Sequence, residues 1–165
     1  MTFLSTLRHQ QAFREFSRID GWNAPHAVTL TMKQGIPIDQ SRRAYERLTP
    51  ERASQNLCHF LNLLNKRVYG KAYTRFNVRV PVIPILEGGT RSRLHYHLTI
   101  DCPRDDLLPM YPELIRSLWA RTRWGYEQID IQADADNGWI NYSSKLRDKP
   151  SFEDSIDWVN YSSLD

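Results

Sequence analysis

Two histidines, His95 and His97, stand in Leu94-His95-Tyr96-His97-Leu98-Thr99-Ile100-Asp101, a run of β-branched and aromatic residues with a strand's alternation. Successive side chains on a strand point to opposite faces, so both imidazoles lie side by side on one face. Neutral ring nitrogens that close suit a single metal ion, although a solvated strand face would carry the same pair. Glu87 ends the preceding extended stretch, and hairpin pairing would bring its carboxylate close to the start of the His strand. Two imidazoles and a carboxylate make three protein ligands with positions left open, the pattern of a catalytic metal site. Mixed nitrogen and oxygen donors suit Mn²⁺, with Mg²⁺ also possible. Asp101, at the far end of the strand, is the rival third ligand.

A second group lies near the C-terminus, in Trp139-Ile140-Asn141-Tyr142-Ser143-Ser144-Lys145-Leu146-Arg147. On a helix, Tyr142 and Lys145 sit one turn apart, and Lys149 shares their face if the helix persists. A phenol with a pKa of about 10 is a poor nucleophile at neutral pH. A neighbouring ammonium favours the phenolate, and a metal that polarises the electrophile lowers the nucleophilicity required. The segment Trp158-Val159-Asn160-Tyr161-Ser162-Ser163-Leu164 nearly repeats the motif but has leucine where Lys145 stands. It is an internal control: Tyr142 is the expected nucleophile and Tyr161 the decoy.

The elements that must position these groups can be read from spacing. Apolar residues at Phe3, Leu4, Leu7, Phe13, Phe16 and Ile19 fit a helical N-terminal segment over 3–19. His26 to Met32 reads as a strand, with Val28, Leu30 and Met32 on one face and Thr29 and Thr31 on the other. Gly35-Ile36-Pro37 ends it, and an arginine-rich connector follows. Thr49 as cap, Pro50 at the first position and Glu51 in the first turn start a helix that stops at Gly70. Its buried stripe is Leu57, Phe60, Leu61, Leu64 and Val68. Residues 75–87 read as a strand, and Pro81 and Pro84 confine it to an edge or a bulge. Gly88 to Arg93 turns the chain into the His strand. A helix over 107–123, a strand over 126–132 and a last helix over 138–147 follow. Residues 150–165 read as a polar tail anchored by Phe152, Ile156, Trp158 and Val159.

This order gives one α+β domain over 1–165, built on an antiparallel sheet. With 41% hydrophobic and 25% charged residues the chain has a soluble globular protein's balance. No apolar run approaches the ~20 residues that span a bilayer, and the N-terminal stretch is too polar for a secretory signal. Cys58 and Cys102 lack framework spacing, so a cytoplasmic setting is expected. A net charge of +3 permits a nucleic-acid partner without demanding one.

The ordered set Val28-Thr29-Leu30-Thr31, then His95-Tyr96-His97, then Tyr142-Ser143-Ser144-Lys145 resembles the three motifs of rolling-circle replication initiators of the HUH endonuclease superfamily, single-tyrosine type. The resemblance spans about 26–149. It implies a central five-stranded antiparallel sheet with flanking helices, related to the RNA-recognition-motif topology. It also implies a divalent metal on His95, His97 and Glu87, and Tyr142 as the nucleophile that nicks single-stranded DNA at an origin hairpin and stays joined to the 5′ phosphate. Lys145 would assist. Arg91 and Arg93 beside the metal, and Arg147 and Lys149 beyond the nucleophile, would contact DNA. The chain carries no P-loop, so a separate helicase would do any unwinding. Transposases and relaxase-like strand transferases of the same superfamily are the nearest alternative. A non-catalytic nucleic-acid-binding module is the next. The 2H phosphodiesterases fail, because His97-Leu98-Thr99 has no second His-x-Thr motif to face it.

Overall fold

The structure is a computed structural model that describes residues 3–41, 43–89, 91–145 and 151–164. Its elements are α1 (Phe3–Phe16), β1 (Pro25–Met32), β2 (Gly35–Pro37), β3 (Tyr45–Arg47), α2 (Pro50–Tyr69), α3 (Lys71–Phe76), β4 (Val82–Glu87), β5 (His95–Asp101), a 3₁₀ turn (Asp105–Met110), α4 (Tyr111–Ala120), β6 (Gly125–Gln132), α5 (Asn137–Ser143) and α6 (Phe152–Ser155). The architecture is α+β. The main sheet is antiparallel in the order β4-β5-β1-β6, and β2 and β3 form a separate two-stranded ribbon. The central sheet therefore has four strands where five were expected.

What stands in the fifth position is the tail. Val82 and Ser162 exchange two backbone hydrogen bonds of 2.8 and 3.0 Å, and Asp157 N donates to Pro84 O at 3.1 Å. The tail thus touches the outer edge of β4 through isolated bridges only. Within a strand, one residue's N–H and C=O point to the same side. Pro84 turns that side outward, so its missing donor costs the ladder nothing, as the edge rule requires.

Alternation along the strands divides the core. Val28, Leu30, Met32, Tyr96, Leu98 and Ile100 face α2 and α4, where Leu57, Phe60, Leu64, Ile115 and Trp119 close the larger cluster. Ile83 and Ile85 face the other way, onto Phe13, Ile19, Ile140, Phe152 and Ile156. The N-terminal helix and the tail are therefore part of the core, although they lie outside the 26–149 span. Of the anchors expected in the tail, Phe152 and Ile156 are buried, whereas Trp158 and Val159 are exposed. Leu4, Leu7 and Phe16 of α1 are exposed as well.

Among the boundaries that differ from the sequence reading, two do so for a local reason and one through distant contacts. The strand expected over 75–87 begins only at Val82. Gly70 breaks α2 with φ 55°, a separate helix follows, and Asn77 ends it in the left-handed region. The helix expected over 107–123 opens as a 3₁₀ turn containing Pro109, and α-helix proper runs from Tyr111 to Ala120. The last helix ends at Ser143 rather than near Arg147. Its carbonyls are claimed from outside: Arg14 Nη2 donates to Asn141 O at 2.9 Å and Gln10 Nε2 to Ser144 O at 2.7 Å.

Candidate metal centre

Cross-strand register builds the site. Glu87 on β4 lies directly opposite His95 on β5, and His97 lies opposite Thr29 on β1. All four side chains share one sheet face. His95 Nε2 and His97 Nε2 are 3.2 Å apart, and Glu87 Oε2 is 3.6 Å from His97 Nε2. One donor atom from each of Glu87, His95 and His97 falls within 4.8 Å of the other two, and the three residues are partly buried.

The outer ring nitrogens are held. Arg93 O lies 2.8 Å from His95 Nδ1, and Thr29 Oγ1 lies 3.1 Å from His97 Nδ1. A carbonyl can only accept, so His95 Nδ1 carries its proton and the Nε2 lone pair of the neutral ring faces His97. Neighbouring ligands on one cation, each at about 2.1 Å, stand about 3.0–3.5 Å apart, which the two imidazoles match. The donor set fits a divalent ion. Gly88, in the turn between β4 and β5, has φ 95°, and a Cβ there would collide with the Arg93 carbonyl that fixes His95. Glycine keeps that turn tight.

Asp101 is not a ligand. It is buried at the far end of β5, where Oδ1 accepts Ala24 N at 2.7 Å and Oδ2 accepts Asn23 N at 3.2 Å. Its carboxylate closes the loop into β1.

The tyrosine helix packs over the same face. Asp136 caps α5 by accepting Trp139 N at 3.1 Å, and the Trp139 indole donates to Leu98 O on the His strand at 3.2 Å. That bond pins the helix to β5. The Trp139 ring lies 5.5 Å from the His97 ring and stacks on Tyr142 at 5.5 Å and 21°. The Tyr142 ring comes to 6.1 Å from His97, and the residue is 52% exposed. Lys145 lies past the helix end, with Nζ 4.2 Å from the centre of the Tyr142 ring.

Tyr161 sits elsewhere. It stacks on Phe16 at 5.7 Å, beside Trp158, in the smaller core cluster, and burial pushes its phenol up. Of the expected DNA contacts, Arg91 and Arg93 are exposed on the turn next to His95. Arg147 and Lys149 lie outside the described residues.

Sequence reading missed the support for Tyr142. Besides its bond to Asn141, Arg14 donates through Nε to Ser144 Oγ at 2.8 Å, and burial lowers its pKa. Gln10, Arg14 and Trp139 hold α5 from two sides. The one available sign was the polar pair Gln10 and Arg14, one turn apart beside Phe13.

No family model matches the chain, and no curated protein or solved structure does.

Proposed function

We infer that this chain is a metal-dependent, site-specific nicking and joining enzyme for single-stranded DNA. It initiates rolling-circle replication through a 5′-phosphotyrosine, the activity of the family its ordered motifs resemble. The observation that carries the reading is the meeting of the Glu87, His95 and His97 donors with the exposed Tyr142 ring, 6.1 Å from His97.

A divalent ion held by Glu87, His95 and His97 supplies Lewis-acid charge to a phosphate oxygen when bound. The chain's own residues do the rest. Tyr142 Oη gives up its proton and forms a bond to the scissile phosphorus as the P–O3′ bond breaks. The departing O3′ takes up a proton and becomes a primer terminus. Lys145 places a positive charge beside the reacting phenol, and Trp139 fixes the ring's approach. The bond made is a phosphodiester like the one broken, so reversal at the same site rejoins strands. Arg91 and Arg93 draw the phosphate backbone toward His95.

The test is incubation with Mn²⁺ and a randomised pool of single-stranded DNA, followed by a denaturing gel. A denaturant-resistant protein–DNA adduct is expected from the unmodified chain and from Tyr161→Phe, and none from Tyr142→Phe. Equal adduct in all three, or none from the unmodified chain, overturns the reading.

A further inference from the structure

The β2–β3 ribbon plays no part in the site described above, yet it is bolted to it. Gln34, at the ribbon's base, donates through Nε2 to Leu94 O at 3.1 Å and accepts Leu94 N on Oε1 at 2.9 Å. Leu94 immediately precedes His95. Leu48 N donates to Gln34 O at 3.0 Å and closes the ribbon's base, and Lys33 N donates to Trp124 O at 2.8 Å beside the start of β6. Ile38 N to Ala44 O, at 2.9 Å, extends the pairing beyond the two short strands.

Its exposed charge is mostly positive, with Asp39 near the tip as the exposed carboxylate among the described residues. Lys33, Arg43 and Arg47 are exposed, and none makes an ion pair among the described residues. Glu46, which would offset them, is occupied at the base by Arg52 and Arg123. Arg91 and Arg93 continue the positive surface onto the neighbouring turn. At the tip side, Ile38 is 67% and Tyr45 52% exposed.

We propose that this ribbon is a duplex-binding arm that grips a double-stranded DNA stem beside the strand entering the His site. The proposal rests on the preceding reading for the nature of the ligand and not for the chemistry done on it. A two-stranded ribbon fits the major groove of B-form DNA, whereas the A-form groove of RNA is too deep and narrow. Single-strand binding uses a row of aromatic platforms, and Tyr45 alone does not make one. Unneutralised cations on both legs suit the two phosphate walls of a groove.

The test uses Tyr142→Phe protein without added metal, which separates binding from covalent capture. Anisotropy is read with a labelled DNA stem–loop and with single-stranded oligothymidylate across a salt series. Lys33→Ala/Arg43→Ala/Arg47→Ala is expected to weaken stem–loop binding at least about tenfold and to flatten its log–log salt slope by about 2–3. Oligothymidylate binding should change far less. Replacing Arg43 and Arg47 by lysine should keep most of the stem–loop affinity, which separates charge from folding. Unchanged stem–loop affinity, or an equal loss on both DNAs, overturns the proposal. A chain that forms no Tyr142 adduct yet shows the duplex-selective loss overturns the nicking reading and leaves this one standing.

Discussion

Thr29 Oγ1 lies 3.1 Å from His97 Nδ1, so a hydroxyl on the central strand β1 fixes the orientation of a donor on β5. Partners of this kind raise metal affinity by holding the ring and its tautomer. Thr29→Val keeps the shape and removes the hydroxyl. We expect Mn²⁺ binding to weaken by about ten- to a hundredfold in calorimetric titration. Unchanged affinity would mean that the contacts of His97 with Trp139, Tyr142 and its neighbouring donors orient the ring without the hydroxyl.

Gln10 and Arg14 hold the end of α5 through three hydrogen bonds, yet neither touches the metal donors. Gln10→Ala/Arg14→Ala should slow adduct formation by about ten- to a hundredfold, because small misplacement of a nucleophile is costly. The rise in melting temperature on adding Mn²⁺ should persist. Loss of both together would assign the pair to general stability instead.

Tyr96 reports on pH. Burial first, and then the charge and hydrogen bond of Asp157, push its phenol far above the ordinary range; Tyr96 Oη donates to Asp157 Oδ2 at 2.8 Å. Below about pH 10 the phenol is neutral in both folded and unfolded chains, and its contribution is whole. Above that pH the unfolded chain releases the proton and the folded chain keeps it, so stability falls as pH rises. Tyr96→Phe should cost about 1–3 kcal/mol at pH 7 in urea unfolding. The gap should narrow as pH climbs past about 10; a widening gap would contradict the assignment.

Where local chemistry decides, the sequence was a good guide. Thr49, Pro50 and Gly70 bound α2 at the expected residues, because a cap, a fixed φ and a positive φ act within one turn. The edge position of β4 followed from Pro84, and the Glu87, His95 and His97 cluster followed from period-2 alternation and a hairpin. Features set by distant contacts were hidden. The early end of α5 depends on Gln10 and Arg14, far away along the chain. The β2–β3 ribbon lacks alternation because its strands are short and hold Gly35 and Pro37. The start of β4 was misplaced because 71–76 packs as a helix against α2, which no apolar period announces.

The tail's bridges to β4 also bear on how molecules of this protein meet one another. An open strand rim is a template for a second chain, and Ile156 to Ser162 already occupies the one beside Val82 and Pro84. At the opposite rim, Arg116 covers the Ile129 carbonyl, and Glu127, Gln128 and Asp130 are exposed. Cutting the chain short of Ile156 would strip one rim and uncover Ile83 and Ile85 beside it, leaving an open apolar edge that can nucleate self-association.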